Sequence, residues 1–314
     1  MRLLYFNPET EYALASGASF YTPPLVVEAM RRANQLLPEK WGTPGDVILV
    51  DDANNLNSGF RLVDWSMLKR LFEENNDIKV EPWGWNKALM RRFLDHDVPA
   101  SCLPDDTTIE MIRQLAHRRT TVVLNSKWNE MVGERHRIDL PVELFSETEC
   151  VDFLRDHKGC WMKAPWSSSG RGVINTAADM SEEQVRQWCR GIIRRQGSVL
   201  AEIGASRLAD FATEWSIEKG VARYLGLSCF NTSNRGKYIS NELHPQSLLT
   251  RRFNEESTIK LGRVVEIQKN IIQNTFESYT GPLGIDMLIQ TDGLLRPFVE
   301  VNLRRTMGML SIFD

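Results

Sequence analysis

The sequence predicts a protein of mixed α/β and α+β class, with an open, Rossmann-like α/β domain at the N-terminus and an α+β region after it. In the first 118 residues, short apolar runs alternate with helical patterns, which is typical of an open sheet covered by helices. Further along the chain, a loop of small residues and a late hairpin indicate antiparallel strands. The 314 residues are enough for about two or three domains.

Short apolar runs predict the strands of the N-terminal half, at residues 3–6, 47–50, 78–80 and 121–124. The run at 47–50 is continuously apolar, as expected for a parallel strand buried on both faces. Helical patterns cover residues 24–37, 65–72, 87–94 and 109–117, and a capping box from Thr107 to Glu110 is expected to open the last of them. A further helix is predicted at 181–194, with its own capping box from Ser181 to Gln184.

The composition argues against several classes of partner. Charged residues make up 25% of the chain and the net charge is −3, so bulk charge does not draw the protein to nucleic acid or to an anionic membrane. No apolar stretch is long enough to span a bilayer, and the short N-terminal apolar run indicates a first strand rather than a signal peptide. The five cysteines are scattered, which predicts reduced thiols in a cytoplasmic protein.

A hairpin near the C-terminus carries polar residues in an unusual arrangement. Strand side chains alternate between faces, so Val299, Val301 and Leu303 are expected to share the core face. The polar residues between and after them, Glu300, Asn302 and Arg304, then line the opposite face.

The turn of this hairpin decides whether Asp286 joins Glu300. A two-residue turn would pair Asp286 with Val299 and put the two acids on opposite faces. A three-residue loop at 291–293, with Gly293 in the left-handed conformation, pairs Asp286 with Phe298 and sets it diagonal to Glu300 on one face. We predict the second arrangement.

Two carboxylates and a carboxamide on one face repel unless a cation lies among them. Oxygen ligands of this kind point to Mg²⁺ or Mn²⁺, and a set as sparse as Asp286, Glu300 and Asn302 indicates a metal that arrives with a nucleotide. For this segment alone, a solvent-facing hairpin with scattered charges is the alternative.

A second candidate element lies at residues 161–174, where two short strands flank a loop of small residues. Lys163 ends the first strand, and the loop from Ser167 to Gly172 can bring its amide groups close to an anion. The segment is not a Walker A loop, because no Gly-Lys-Ser/Thr follows. A plain surface hairpin is the alternative here.

Taken together, the two segments resemble the ATP-grasp superfamily over roughly residues 127–309. The resemblance implies an ATP-grasp domain of two α+β subdomains, and hence a division of the chain at 1–118, 119–198 and 199–314. It also implies that Lys163, with the loop residues Ser167, Ser168, Ser169 and Gly170, covers the phosphates of ATP. Asp286, Glu300 and Asn302 would hold Mg²⁺ (or Mn²⁺).

Three further matches extend the resemblance. The segment 199–203, with Glu202 and Ile203, resembles the hinge strand that meets the adenine edge. Glu214 resembles an acid that approaches the ribose, and Lys127, placed after the predicted strand 121–124, resembles a second phosphate-binding lysine. One departure is Gly284, because peptidoglycan-type ligases carry an arginine at that position.

The function implied by the resemblance is an ATP-dependent carboxylate–amine ligase. Its partners would be a small-molecule or peptide carboxylate and an amine, joined through an acylphosphate, with Lys163 on the phosphates and Arg304 stabilising the developing charge. A phosphotransferase on the same scaffold and a nucleotide-binding regulator without turnover are the alternatives. The chain has no G-x-S-x-G or HExxH motif to support a hydrolase or zinc protease.

Overall fold

The structure, a computed structural model, describes residues 1–54, 56–75, 77–167, 170, 172–176, 180–233 and 236–312. Two of the predicted phosphate-loop residues, Ser168 and Ser169, lie outside the described residues. The chain divides into two compact units, residues 1–114 and 115–314.

The first unit is an open α/β domain, as predicted. Its sheet has the order β3-β2-β1-β4, and every strand pair in it is parallel. The strands are β1 (Arg2–Tyr5), β2 (Val47–Leu49), β3 (Arg61–Val63) and β4 (Lys79–Pro82). The helices are α1 (Thr10–Ser16), α2 (Leu25–Ala33), α3 (Leu68–Glu74), α4 (Lys87–Asp95) and α5 (Asp106–Leu115). The apolar side chains of the strands pack against α3 and α4 in one core.

Three helices of this unit begin or end differently from the prediction. The segment predicted as a helix from residue 65 begins with a 3₁₀ turn at Trp65–Met67, and α3 follows it. Helix α2 ends at Ala33, and a separate 3₁₀ turn follows at Leu37–Lys40. Helix α5 begins at Asp106, because Asp105 Oδ1 accepts a hydrogen bond from the Thr108 amide at 2.7 Å. The cap is therefore Asp105, and the predicted Thr107–Glu110 box is wrong.

The second unit contains two antiparallel sheets. The larger has the order β11-β10-β9-β12-β13, and the smaller β5-β8-β6-β7. The strands are β5 (Val142–Leu144), β6 (Trp161–Lys163), β7 (Val173–Asn175), β8 (Val199–Glu202), β9 (Arg207–Glu218), β10 (Val221–Thr232), β11 (Tyr238–Glu242), β12 (Gly281–Gln290) and β13 (Leu295–Asn302). Because β8 pairs with β5 and β6, the small sheet extends past residue 198, where the central subdomain was predicted to end.

The helices of the second unit are α6 (Arg119–Met131), α7 (Glu147–Asp156), α8 (Glu182–Gln196), α9 (Gln246–Glu256), α10 (Leu261–Thr275) and α11 (Met307–Ser311). Helix α8 has the predicted capping box between Ser181 and Gln184. None of the helices in the described part of the chain is long and apolar enough to cross a membrane.

The predicted strand at 121–124 is wrong, because this segment is the middle of α6. Its β-branched residues favour a strand locally. However, Thr121, Leu124, Asn125 and Trp128 are all buried, at the spacing of one helix face, and α6 packs against β13 and α10. Burial of this face overrides the local preference.

Candidate functional site

A pocket lies between the small and the large sheet of the second unit. Charged residues of both sheets line it: Lys163 and Glu202 from the small sheet, and Asp210, Asp286 and Glu300 from the large one. Arg118, which precedes α6, lines it as well. The pocket therefore brings cations and carboxylates from distant parts of the chain together.

The hairpin of β12 and β13 has the predicted three-residue loop. The Gln290 amide donates to Leu294 O, the Gly293 amide donates to Gln290 O, and Gly293 has a φ of +81°. Directly after the loop, Leu288 pairs with Arg296, which is the register that this loop imposes.

The pairing of Asp286 differs from the prediction. Between the pair Leu288–Arg296 and the pair Asp286–Glu300, β12 has only Met287, whereas β13 has Pro297, Phe298 and Val299. This bulge shifts the register by two residues, so Asp286 lies directly opposite Glu300 instead of opposite Phe298. Directly paired residues share a face, so the two acids are together, as predicted. The bulge also brings Val299, predicted to face the core, to the pocket.

Two buried amide side chains hold this bulge. Gln268 Nε2 donates to Pro297 O at 2.9 Å, and Asn125 Nδ2 donates to Phe298 O at 3.0 Å. Both carbonyl groups thus have partners outside the strand ladder, which a bulge in a buried strand requires.

Asp286 lies in a strongly negative environment. Burial, and then the charges of Glu300, Glu214 and Asp210, raise the pKa of Asp286 well above its usual value. A cation bound between Asp286 and Glu300 would reverse this repulsion. The pair supplies oxygen ligands only, and so fits Mg²⁺, which typically uses one or two carboxylates together with water and phosphate oxygens.

Asn302 and Arg304 lie next to the acid pair. Asn302 Nδ2 donates to Asp286 Oδ1 at 3.4 Å, while Asn302 Oδ1 accepts from Arg304 Nη2 at 2.9 Å. The amide oxygen is thus already engaged, and the two carboxylates are the set that fits a metal best. Burial lowers the pKa of Arg304 to about 10, so Arg304 keeps its positive charge at neutral pH.

Arg118 is a site residue that the sequence did not indicate. Its Nη2 lies 2.6 Å from Glu300 Oε1 and donates to Ser167 Oγ at 3.1 Å, and its Nε donates to Ala164 O at 3.0 Å. The guanidinium thus joins the start of the small-residue loop to one of the two acids. In the sequence Arg118 is one of two adjacent arginines, and nothing there distinguishes it from a solvated residue.

Lys163 forms a second buried ion pair. Its Nζ lies 2.6 Å from Glu202 Oε1, and both side chains are about nine-tenths buried. Burial lowers the pKa of Lys163, while the charge of Glu202 opposes this shift. Glu202, predicted to lie at the adenine edge, and Lys163, predicted to bind the phosphates, are therefore in direct contact.

Gly170, in the small-residue loop, requires the absence of a side chain. Its φ is +72°, and an added Cβ would lie 2.3 Å from Gly236 O in the loop between β10 and β11. Close backbone packing of this kind is open only to glycine. The two loops thus meet, and both glycines line the pocket.

Solved structures with the same architecture cover nearly the whole chain. Biotin carboxylase from Campylobacter jejuni, in a β,γ-ATP complex, aligns with a TM-score of 0.58 at 10% identity over 99% of this chain and 70% of that chain. N5-carboxyaminoimidazole synthetase from Staphylococcus aureus, complexed with ADP, aligns with a TM-score of 0.55 at 10% identity over 98% and 71%. These are ATP-grasp enzymes. The chain has an ATP-grasp fold.

A third structure with this fold, carboxyaminoimidazole ribonucleotide synthase from Aspergillus clavatus complexed with ATP, aligns with a TM-score of 0.52 at 11% identity over 98% and 70%. No protein-family model matches the sequence, and no curated protein sequence does. The ATP-grasp fold is thus shown by structure, at identities too low to carry an activity.

The ATP-grasp fold brings only part of the predicted residues to the pocket. Lys163, Gly170, Glu202, Ile203, Asp286 and Glu300 line it. Lys127 does not: it lies on α6, where its Nζ donates to Thr275 Oγ1 at 2.9 Å. Lys127 was predicted to follow a strand at 121–124, and in the structure this segment is part of α6.

Glu214, the predicted ribose-binding acid, is also away from the pocket. It is fully buried, and it accepts hydrogen bonds from Thr306 Oγ1 at 2.9 Å and Ser228 Oγ at 3.0 Å. Burial raises its pKa to about 7. The acid that lines the pocket on the same strand is Asp210, four residues earlier, which was not among the predicted site residues. Spacing along β9 alone did not separate the two acids, because both lie on one face of the strand.

Proposed function

We propose that this chain is an ATP- and Mg²⁺-dependent ligase that joins a carboxylate to an amine. The observation that carries the proposal is the pocket in which two paired acids, Asp286 and Glu300, meet two buried cations, Arg118 and Lys163. Phosphoryl transfer depends on positioning and charge neutralisation, and this arrangement of charges supplies both. Proteins with the same fold have been crystallised with ADP or ATP.

The nucleotide would lie along the pocket between the two sheets. Its phosphates would meet Arg118, Lys163 and the loop at Gly170, and its base would pack among apolar side chains such as Ile203 and Leu288. Asp210, which accepts a hydrogen bond from Thr232 Oγ1 at 2.6 Å, is the acid available to the ribose hydroxyls. Mg²⁺, when bound, would neutralise phosphate charge, and Asp286 and Glu300 would hold it, with Asn302 beside them.

The reaction has two steps. A carboxylate oxygen of the substrate attacks the γ-phosphorus, the bond to the leaving oxygen of ADP breaks, and an acylphosphate forms. The amine nitrogen then attacks the acyl carbon, inorganic phosphate leaves, and the nitrogen loses a proton. Arg304, held beside Asn302, would stabilise the negative charge that develops in these steps.

The test is an ATP-consumption assay with pooled amino acids, peptides and polyamines, followed by mass spectrometry. An amide together with free phosphate supports the ligase, whereas a phosphoester without free phosphate identifies a phosphotransferase. Glu300→Gln removes one of the paired charges, and we expect it to lower turnover by about 3 kcal/mol of transition-state stabilisation, or roughly a hundredfold. Near wild-type turnover of this variant would contradict the assigned site.

A matched control is Glu147→Gln. Glu147 also forms an ion pair with an arginine, Arg190, at 2.6 Å, but the pair lies on the surface of α7 and α8. This variant should turn over at the wild-type rate.

A further inference from the structure

The ion pair between Arg118 and Glu300 joins a candidate phosphate-binding cation to a candidate metal-binding acid. The Nη2 to Oε1 distance is 2.6 Å, and the side chains are only 6% and 26% exposed. Without ligands, Glu300 neutralises the arginine that would bind a phosphate, and Arg118 neutralises the acid that would bind a metal ion.

A ligand that arrives alone must break this pair and leave one charge uncompensated. A phosphate that takes Arg118 leaves Glu300 beside Asp286, the acid directly opposite, where like charges already repel. A metal ion that takes Glu300 leaves a nearly buried guanidinium without its counter-charge, which is costly in a protein interior. When both ligands arrive, every charge regains a partner.

We propose that Arg118 exchanges Glu300 for a nucleotide phosphate, and that this exchange makes metal and nucleotide bind cooperatively. The proposal rests on the proposed nucleotide- and metal-dependent function and names the element that regulates its site. Coupling between two ligands commonly amounts to about 5- to 150-fold in affinity, and we expect the coupling between metal and nucleotide to lie in this range.

The ion pair also lies in the wall of the pocket. The side chains of Arg118 and Glu300 both line it, so a ligand that enters the pocket meets both charges.

Glu300 is the partner that moves. Arg118 is anchored to Ala164 O through Nε, to Ser167 Oγ through Nη2, and to Pro165 O through its own backbone amide. Glu300 has the more exposed side chain, and it lies directly opposite Asp286 on the neighbouring strand. The guanidinium therefore stays at the start of the small-residue loop while its partner changes.

The experiment measures ADP affinity by isothermal titration calorimetry, once with EDTA and once with saturating Mg²⁺. In the wild type we expect weak metal-free binding. Glu300→Gln should bind metal-free ADP about tenfold more tightly, because Arg118 then has no counter-charge to give up, and Mg²⁺ should add little. In the Arg118→Ala background, the substitution Glu300→Gln should change the affinity for metal-free ADP by less than about twofold. An equal gain in both backgrounds would mean simple repulsion between Glu300 and phosphate, and would overturn the exchange.

A second measurement approaches the pair from the metal side. Without nucleotide, Mn²⁺ binding followed by electron paramagnetic resonance should be about tenfold tighter in Arg118→Ala than in the wild type, although the variant binds ADP more weakly. Unchanged or weaker Mn²⁺ binding would contradict the proposal. Arg118→Gln, whose amide can donate to Ala164 O in place of Nε, serves if circular dichroism shows that Arg118→Ala does not fold. Glu147→Gln should behave as wild type in both measurements.

These results separate two failures. If the wild type binds neither ADP nor Mg·ADP, the proposed function fails. If the wild type binds Mg·ADP, but Glu300→Gln does not bind metal-free ADP more tightly or Arg118→Ala does not bind Mn²⁺ more tightly, only the exchange fails.

Discussion

The buried carboxyl of Glu214 makes the stability of the second unit depend on pH. Burial raises the pKa of Glu214 from 4.5 to about 7, and the hydroxyls of Thr306 and Ser228 offset only part of this shift. In the folded state, an added Cβ at Gly308 would lie 2.0 Å from Glu214 Oε1, so the carboxyl sits in a tightly packed space. Its ionised form therefore cannot be hydrated, and the folded protein holds the proton more tightly than the unfolded chain does.

The sign and size of the effect follow from this difference. Because the folded pKa is raised, the contribution to stability is fully present below pH 4.5 and is lost as pH rises through about 7. The shift from 4.5 to about 7 corresponds to about 3 kcal/mol at about 1.4 kcal/mol per unit. Glu214→Gln keeps the shape of the side chain and one oxygen acceptor. Because its amide does not ionise, this variant should not lose stability as the pH rises.

The assay is urea unfolding followed by circular dichroism, from pH 4 to pH 8.5. We expect Glu214→Gln to gain about 3 kcal/mol relative to the wild type across this range. Removal of the Glu214 charge also lowers the pKa of Asp286, which acts in the same direction. The control is Glu255→Gln, because Glu255 is an exposed residue of α9. The stability of this variant should follow that of the wild type across the pH range. A difference between Glu214→Gln and wild type that stays constant with pH would refute the reasoning.

Three further expectations concern the site. Mg²⁺ together with ATP should raise the thermal unfolding midpoint more than either alone, with about 2.7 kcal/mol of stabilisation at a ligand concentration of 100 times Kd, and an unchanged midpoint at millimolar Mg·ATP would count against nucleotide binding. Lys163→Ala should weaken ATP binding and slow turnover, whereas Lys127→Ala should leave calorimetric ATP affinity unchanged; equal losses would return Lys127 to the site. Gln268→Leu leaves Pro297 O without its partner, so urea unfolding should show a loss of about 1–3 kcal/mol and ADP affinity should fall with it; wild-type values for both would mean that the bulge holds without Gln268.

Local patterns in the sequence predicted much of the fold. The parallel sheet follows from its continuously apolar runs, the start of α8 from its capping box, and the loop at Gly293 from residues that suit a left-handed turn. Each of these features depends on neighbours in the chain, which is why the sequence alone indicates them.

Predictions from local patterns were wrong where contacts between distant residues determine the structure. The β-branched run before Lys127 favours a strand, yet burial of one face against β13 and α10 makes it a helix. Glu214 and Asp210 share a face of β9, but Glu214 is bound by Thr306 and Ser228, whereas Asp210 lines the pocket. In both cases the deciding partner lies far away in the sequence.

What the sequence by itself determined is that a lysine strand, a small-residue loop and a late hairpin with two acids belong to one chain in an order typical of ATP-grasp proteins. The tertiary structure decided how these parts meet. Gln268 and Asn125, from two helices, hold the bulge that pairs Asp286 with Glu300, and Arg118 reaches Glu300 across 182 positions of the chain. Periodicity and turn chemistry act over a few residues, whereas register across a bulge and the pairing of buried charges depend on which distant groups can satisfy them.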